Sequence, residues 1–184
     1  MKILLGVTGS VAATLTPNLA QKLLDEKCEV QVITTQRGLY FFDKTRLKVK
    51  VWEDKDEWQE GGYLRETPVP HIDLALWADA MLIAPLSANT LADLACGRCD
   101  KFLTCVVRAW PLSKPIIVAP AMNTRMWENP ITKKQLDFLR EVYNFNMINP
   151  IEKRLACGEV GMGAMAEISD IVKEVKKLVV LKKF

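Results

Sequence analysis

Short apolar runs alternate with amphipathic segments along most of the chain. Runs of about four to eight consecutive apolar residues are typical of strands buried on both faces. Such runs predict strands at residues 2–8, 81–85 and 114–120; residues 28–35 are predicted to be the second strand, and a last short strand is predicted within 144–150. Residues 36–70 are polar and aromatic, and they are predicted to hold one short strand and irregular loops.

The segments between these runs carry apolar residues every three or four positions, which is the spacing of one helix face. Pro17 is expected to disturb the first turns of the first helix or to delay its start. Ser87 stands at an expected N-cap, Pro130 in an expected first turn and Gly97 at an expected helix end. The predicted helices cover residues 11–27, 71–79, 87–97, 129–142 and 169–181.

Strands that alternate with helices predict an α/β fold, in which helices cover both faces of a mostly parallel sheet as a three-layer sandwich. The sequence shows no internal repeat, linker or low-complexity segment, so residues 1–184 are predicted to form one domain. Ligands of such sheets bind beyond the carboxyl ends of the strands. Because the polar residues of this chain cluster at those ends, the functional site is expected there.

Net charge and the length of the apolar runs indicate which classes of partner are not expected. The net charge of +3 is small and scattered, apart from a basic segment at 173–184, so no nucleic-acid partner is expected. No apolar run approaches the roughly 20 residues of a membrane span. The apolar run after Lys2 has about five residues, too few for a secretory signal, so a cytoplasmic protein is expected.

The five cysteines fit a reducing compartment, because an odd number without a small-domain framework argues against structural disulfides. Cys96 and Cys99 form a lone C-x-x-C at a predicted helix end, where a redox motif is not expected. A zinc site would need a second pair or histidines, and the chain has one histidine, His71. We therefore expect no metal and interpret the two cysteines as incidental.

Two strand-to-helix corners carry hydroxyl groups. Thr8-Gly9-Ser10 could bring the backbone and a hydroxyl to a phosphate, although an ordinary tight turn has the same sequence. Its spacing is neither that of a dinucleotide fingerprint nor that of a Walker loop. Residues 84–90 add two hydroxyls and Asn89, whose amide suits the edge of a heterocycle, or they form a capping motif without a ligand.

Three further features could carry chemistry. His71 is a candidate base near neutral pH, or a structural histidine. Asn123, in the segment PAMNTRMW, could hold a carboxylate through its amide, or it could be a helix cap beside core methionines. Cys157 lies in the glycine-rich segment 154–167, which is predicted to be a mobile loop that carries a thiol, or a surface loop with a buried cysteine. Together these features suit a flavin mononucleotide (FMN) enzyme that acts on a small thiol or carboxylate.

The chain resembles the flavin-containing cysteine decarboxylases over nearly its whole length. The segments PAMNTRMW and ACGEVGMGAMAE, in this order, are the most specific and favour the branch that acts on phosphopantothenoylcysteine. The resemblance implies a flavodoxin-like fold and trimers that hold FMN and substrate at a subunit interface. The matching segments are residues 7–13, 68–79, 84–110, 114–132 and 154–167.

The resemblance also implies roles for individual residues. His71 corresponds to the active-site histidine, Asn123 to the residue that holds the substrate carboxylate and Cys157 to a proton donor on a flap at about residues 150–167. Further substrate contacts are expected from Met126, Arg154, Leu155 and Ala156. The implied FMN-binding residues are Gly9, Ser10, Val11, Thr34, Thr35, Ser87, Ala88, Asn89, Thr90 and Ala121.

The implied reaction converts 4′-phosphopantothenoylcysteine to 4′-phosphopantetheine and carbon dioxide in coenzyme A biosynthesis. The cysteinyl β-carbon is oxidised to a thioaldehyde, carbon dioxide leaves, and the resulting enethiol is reduced with a proton from Cys157. Because the hydride given to the flavin is returned to the product, no external reductant is needed.

The sequence departs from this family at three positions. Ala75 and Leu76 replace residues that are often basic, and Lys101 replaces an asparagine, which puts the affinity for substrate in doubt rather than the reaction type. The sequence argues against three other functions. A flavin prenyltransferase would not need the flap cysteine, a peptidyl-cysteine decarboxylase would have a different flap, and a protein phosphatase inhibitor of this family would usually carry a long acidic tail.

Overall fold

A six-stranded sheet forms the centre of the molecule, with strand order β3-β2-β1-β4-β5-β6 and every pair parallel. The computed structural model describes residues 1–58, 65, 67–156 and 158–181. The strands of the sheet are β1 (Lys2–Val7), β2 (Glu29–Thr34), β3 (Val51–Trp52), β4 (Ala80–Leu86), β5 (Ile116–Pro120) and β6 (Asn146–Met147).

The order of the strands reverses once, between β1 and β4. Because β3 is only two residues long and lies at an edge, the five remaining strands have the order 2-1-4-5-6, which is the flavodoxin-like arrangement. The prediction of a mostly parallel, flavodoxin-like sheet is confirmed. The reversal opens a crevice between the carboxyl ends of β1 and β4, which is where such folds bind ligands.

Helices cover both faces of the sheet and bury two separate apolar clusters, so the predicted three-layer α/β sandwich is confirmed. On one face, α1 and α8 pack against β1 and β2, and on the other lie α3, α4, α5 and α7. None of the described helices has the length and apolar character that a membrane span requires. The helices are α1 (Thr16–Asp25), α2 (Gln36–Leu39), α3 (Pro70–Trp77), α4 (Ala88–Ala95), α5 (Phe102–Arg108), α6 (Thr124–Trp127), α7 (Pro130–Tyr143) and α8 (Ile168–Leu181).

The first predicted helix is divided in two. Val11–Leu15 forms a 3-10 helix, and α1 begins at Thr16 with Pro17 in its first turn, as a delayed start requires. The α5 helix was not predicted. Its sequence, FLTCVVR, is apolar on nearly all sides because the helix is buried almost completely, so it shows no amphipathic period.

The prediction of a loop at residues 154–167 was wrong, because most of this segment belongs to an antiparallel hairpin. Strands β7 (Ile151–Arg154) and β8 (Val160–Ala164) pair with each other and not with the central sheet. Two glycines allow β8 to lie against α6: a Cβ at Gly161 would be 2.5 Å from Thr124 Oγ1, and one at Gly163 would be 2.3 Å from the carbonyl oxygen of Met122. These glycines therefore serve close packing, and the strand pattern was hidden because they replace the β-branched residues that mark most strands.

Candidate active site

The carboxyl ends of β1 and β4 are joined by the buried side chain of Thr8. Its hydroxyl donates to the carbonyl oxygen of Pro85 at 2.7 Å and accepts from the backbone N–H of Ser87 at 2.8 Å. Ser87 in turn caps α4, with its Oγ 3.4 Å from the N–H of Thr90. The two hydroxyl-bearing corners singled out in the sequence are therefore held against each other.

A third corner comes from the end of β2. Thr35 Oγ1 accepts from the N–H of Gly38 at 3.1 Å and so starts α2 beside the other two corners. The backbones approach closely here, since a Cβ at Gly9 would lie 2.7 Å from Arg37 Cβ and one at Gly38 would lie 2.7 Å from the carbonyl oxygen of Val7. Only glycine fits at either position without a shift of its neighbours.

These three corners border a cavity of about 310 Å³. Five of the ten predicted cofactor residues line it: Gly9, Thr35, Ser87, Asn89 and Thr90.

The other five predicted cofactor residues are not among those that line the cavity. Ser10 caps the 3-10 helix, Val11 is half exposed, and Thr34 is buried with its hydroxyl directed to the carbonyl oxygens of Val7 and Thr35. Ala88 begins α4, and the buried Ala121 donates its N–H to the carbonyl oxygen of Leu86 at 3.0 Å.

Charged residues that were not predicted as site residues complete the cavity wall. Arg37 Nη1 lies 3.4 Å from Asn89 Oδ1, and the ammonium of Lys101 forms an ion pair with Asp93. Arg98 Nε is 3.8 Å from the other oxygen of Asp93. The position of Arg37, two residues beyond a strand-end threonine, was the one sequence signal that could have revealed it.

Asn123 begins α6, as its alternative interpretation as a cap predicted. Its Oδ1 accepts from the N–H of Arg125 at 2.9 Å, so the group of this side chain that is suited to a carboxylate is the Nδ2 amide. One residue earlier, the N–H of Met122 donates to the carbonyl oxygen of Gly163 at 2.9 Å. This bond fixes β8 beside Asn123.

The tip of the hairpin holds the predicted substrate-contact residues. Leu155 donates its N–H to the carbonyl oxygen of Glu159 at 2.8 Å, and Arg154 and Ala156 on either side are exposed. Arg125 Nη2 on α6 lies 3.1 Å from Glu159 Oε1, which adds a side-chain contact between α6 and the tip. Cys157 lies outside the described residues, so its predicted role stays a prediction.

Met126 lies on the same short helix as Asn123. Its side chain is half exposed and its carbonyl oxygen accepts from the hydroxyl of Thr132 at 2.6 Å. An exposed, polarizable thioether beside Asn123 suits a contact with an apolar part of a ligand.

His71 lies near the start of α3 and is not among the residues that line the 310 Å³ cavity. Its Nδ1 is buried and lies 3.2 Å from Oε1 of Glu57, a carboxylate that is only 5% exposed. The thiol of Cys105 also faces Glu57, and burial together with this carboxylate raises the pKa of the thiol to about 12. Sequence reasoning missed Glu57, which lies in a polar run and is separated from His71 by 13 residues.

The departures from the family pattern have local partners. The carbonyl oxygens of Ala75 and Leu76, at the end of α3, accept from Lys114 Nζ at 3.0 and 2.8 Å. Burial lowers the pKa of this Lys114 ammonium. Lys114, in the loop before β5, therefore places a positive charge at the end of α3. The charge of Lys101 at the cavity is compensated by Asp93.

Comparison with known proteins identifies the class. Residues 1–180 match the family model described as "Flavoprotein". The chain therefore belongs to the flavoprotein family, and the family resemblance seen in the sequence motifs is confirmed.

Two curated relatives carry the same name. Phosphopantothenoylcysteine decarboxylase from Mus musculus is 49% identical over 176 residues, which cover 95% of this chain and 85% of the relative. Phosphopantothenoylcysteine decarboxylase from Arabidopsis thaliana is 48% identical over 177 residues, covering 95% of this chain and 83% of the relative.

Two solved structures have the same fold. One is a PPC decarboxylase mutant, in which serine replaces a cysteine, complexed with pantothenoylaminoethenethiol. It superposes with a TM-score of 0.90 at 47% identity and covers 96% of this chain and 97% of its own. The other, the FMN-binding protein AtHal3, has a TM-score of 0.87 at 47% identity and covers 96% of this chain and 95% of its own.

Proposed function

We propose that this chain is an FMN-dependent decarboxylase that converts 4′-phosphopantothenoylcysteine to 4′-phosphopantetheine and carbon dioxide. One geometric arrangement carries the proposal: the bond from Met122 to Gly163 holds β8 beside Asn123, and the bond from Ala121 to Leu86 holds the end of β5 beside the end of β4, which Ser87 follows. The Asn123 amide, which suits a carboxylate, and the hydroxyl-lined cavity therefore lie at the ends of two neighbouring strands. The name carried by the relatives from Mus musculus and Arabidopsis thaliana, at 49% and 48% identity, supports the same reaction.

The cavity residues fit a flavin mononucleotide. Thr35, Ser87 and Thr90 place hydroxyls around a cavity that Gly9 also lines, and Arg37 adds a cation suited to a phosphate. The Asn89 amide can pair with the edge of a heterocycle. When bound, FMN supplies reversible hydride transfer, which permits oxidation of the substrate before carbon dioxide leaves and reduction afterwards.

The protein's own side chains would orient the substrate and move protons. Asn123 Nδ2 would hold the substrate carboxylate, and Arg154, Leu155, Ala156 and Met126 would contact the rest of the substrate. His71 would accept the proton of the substrate thiol, and Cys157 would return a proton to the carbon skeleton of the enethiol. Closure of the hairpin tip over the site would exclude water from the reactive intermediates.

We infer that the active protein is a cytoplasmic trimer whose sites lie between subunits. A cavity of about 310 Å³ is at the lower end of the range for small-molecule pockets, and a second copy could complete it. Val11, a predicted FMN-binding residue, and Ile72, which follows His71, are apolar and exposed, as expected of interface side chains. Cys28, Cys96, Cys99 and Cys105 are free thiols, which supports a reducing compartment.

The purified protein tests this function directly. It should be yellow, show an oxidised-flavin spectrum and release carbon dioxide from 4′-phosphopantothenoylcysteine. His71→Asn should keep the flavin and lose carbon dioxide release, because it removes the base and no cavity residue. A colourless protein, or a His71→Asn variant with normal turnover, would contradict the proposal or the role of His71, respectively.

The alternative functions make different predictions in the same assay. A flavin prenyltransferase would bind flavin and leave the cysteine substrate unchanged. A peptidyl-cysteine decarboxylase would release carbon dioxide from a peptide with a carboxyl-terminal cysteine in preference to the phosphorylated substrate. A regulatory subunit would inhibit a protein phosphatase and show no turnover of either substrate.

A further inference from the structure

Glu57 is a buried carboxylate whose position is fixed from two sides. It ends a 3-10 helix, Asp54–Glu57, in which Asp56 Oδ2 accepts from the N–H of Glu53 at 2.8 Å. Asp54 Oδ1 accepts from the N–H of Phe102 at 3.0 Å, which ties the 3-10 helix to the start of α5. These contacts of its neighbours fix the backbone at Glu57, from which the carboxylate projects.

A carboxylate that is only 5% exposed needs a polar partner, because burying an unpaired charge is costly. Within the part of the chain that the structure describes, two titratable side chains face it: His71 from α3, with Nδ1 at 3.2 Å, and the thiol of Cys105 from α5. Cys105 Sγ also donates to the carbonyl oxygen of Cys99 at 3.1 Å. The thiol thus has a second acceptor, whereas Nδ1 of His71 has no other polar partner among the described residues.

The geometry of the imidazole gives its two nitrogens different surroundings. Nδ1 is buried against Glu57, while the side chain as a whole is 29% exposed, so its exposed area lies on the remainder of the side chain, which includes Nε2. The Nδ1 contact is within ion-pair distance but is not aligned as a hydrogen bond. A rotation of the ring about the Cβ–Cγ bond would direct an Nδ1–H to the carboxylate.

We propose that Glu57 is a positioning residue for His71, an inference that rests on the proposed function. Glu57 accepts from Nδ1–H, which places the proton of the neutral imidazole on Nδ1 and leaves the Nε2 lone pair to accept the proton of the substrate thiol. The tautomer of a histidine is set by the partner of its other nitrogen. Without Glu57 the ring would be free to turn and to carry its proton on Nε2, and Nε2 could then no longer accept the proton of the substrate thiol.

The chain's single histidine makes this measurable without any catalysis. With ¹⁵N-labelled histidine, one imidazole contributes to the nitrogen–proton spectrum, and the two ring nitrogens report the tautomer directly. The wild-type protein, at a pH where the ring is neutral, should show the Nδ1–H tautomer. Glu57→Leu, which removes the acceptor at similar volume, should shift the ring toward the Nε2–H tautomer that an unpartnered imidazole favours in water.

Turnover should follow the tautomer. Glu57→Leu should lower kcat at least about tenfold with little change in KM, because the substrate is still bound but its base is misdirected. Glu57→Gln retains an acceptor oxygen and should fall between the wild type and Glu57→Leu in kcat. Cys105→Ala is the matched control, since it removes the other polar neighbour of Glu57 and should change neither the tautomer nor kcat by more than about twofold.

Three results would overturn the proposal: an Nε2–H tautomer in the wild-type protein, a Glu57→Leu variant with unchanged kcat, or a shift in Cys105→Ala as large as in Glu57→Leu. The tautomer of the wild-type protein is measured without any variant. The proposal can therefore be disproved even if the Glu57→Leu variant does not fold. If the wild-type protein does not decarboxylate the substrate, the proposed function fails. The tautomer measurement still reports whether Glu57 and His71 are paired.

Discussion

Thr8 and Ser87 are 79 residues apart in sequence, and a buried hydrogen bond of 2.8 Å joins the Thr8 hydroxyl to the Ser87 backbone N–H. The same hydroxyl donates to the carbonyl oxygen of Pro85 at 2.7 Å, so one side chain serves two backbone groups of the neighbouring strand end. The distance between the Thr8 and Ser87 corners of the cavity therefore depends on the hydroxyl of Thr8.

Replacing this hydroxyl by a methyl group tests that dependence. Thr8→Val keeps the volume but leaves two buried backbone groups without this partner, each at a cost of roughly 1–3 kcal/mol. The free energy of unfolding in urea should fall accordingly, and the flavin content of the purified protein should fall with it. Thr8→Ser, which keeps the hydroxyl, should retain the flavin; equal loss in both variants would show that the methyl group, not the hydroxyl, matters.

Gly163 and Gly158 form a matched pair for testing how the hairpin docks. Both have positive φ, +130° and +89°, but a Cβ at Gly163 would meet the carbonyl oxygen of Met122 whereas one at Gly158 meets nothing within 4 Å. Each alanine variant should lose about 1–3 kcal/mol to backbone strain. Gly163→Ala should also break the Met122 bond, so that the Met122 amide exchanges its proton faster.

The comparison between the two glycine variants isolates the packing contact, because the backbone strain is common to both. Turnover should fall further in Gly163→Ala than in Gly158→Ala, since only the former separates β8 from Asn123. Equal exchange rates at the Met122 amide in the two variants would show that the close approach does not hold the hairpin in solution.

Asn123→Asp separates binding from folding. An aspartate caps a helix as well as an asparagine does, so α6 should keep its bond to the N–H of Arg125 and the melting temperature should hardly change. The Nδ2 donor, however, is replaced by a negative oxygen that repels the substrate carboxylate. A lost hydrogen bond to a charged group is worth roughly 1.5–3 kcal/mol, so kcat/KM should fall at least about tenfold.

Unchanged kinetics in Asn123→Asp would mean that the amide does not contact the carboxylate. Asn123→Ala serves as the control for the cap. It should lower stability by about 1 kcal/mol through loss of the cap and also lower kcat/KM.

Cys157→Ser should divide the reaction into its two halves. Carbon dioxide release needs FMN, His71 and Asn123, whereas only the return of hydride and proton needs the thiol. The variant should therefore release carbon dioxide but stop at the enethiol, and mass spectrometry should find a product two hydrogens short of 4′-phosphopantetheine, with the flavin reduced or reoxidised by oxygen. Formation of the saturated product at the wild-type rate would exclude Cys157 as the acid.

The thiols should differ in reactivity according to burial. Burial, with Glu57, raises the pKa of Cys105 to about 12, and burial also raises the pKa of Cys28, so both stay protonated at pH 8. Cys96 and Cys99 are exposed. Iodoacetamide at pH 8 should modify these two before Cys28 and Cys105, as peptide mass spectrometry would show; early labelling of Cys105 would contradict the buried pairing with Glu57.

The raised pKa of Cys105 also gives stability a pH dependence. An unfolded thiol ionises near pH 8.5, whereas the folded thiol holds its proton to about pH 12. Below pH 8.5 both states are protonated and the contribution is fully present; as pH rises toward 12 the unfolded state loses its proton more readily, so stability falls. Cys105→Ala should flatten the decline of unfolding free energy above pH 8.5.

Local pattern carried most of the architecture. The apolar runs predicted β1, β4 and β5 to within two residues, because a strand buried on both faces needs apolar side chains throughout. Ser87, Pro130 and Gly97 marked helix ends correctly, since capping and positive φ are requirements of a few neighbouring residues. In α5 and in the hairpin the pattern misled, because burial or close packing removed the usual period.

Tertiary structure decided which of the candidate residues meet. The sequence by itself determined a three-layer α/β chain with hydroxyls, amides and a histidine near strand ends, because side-chain period and turn chemistry are local. Four contacts could not be predicted from the sequence. Thr8 joins Pro85 to Ser87, Arg37 reaches Asn89, Lys101 pairs with Asp93, and Glu57 faces His71. These contacts join different elements, and their distances are set by how helices pack on the sheet rather than by any spacing along the chain.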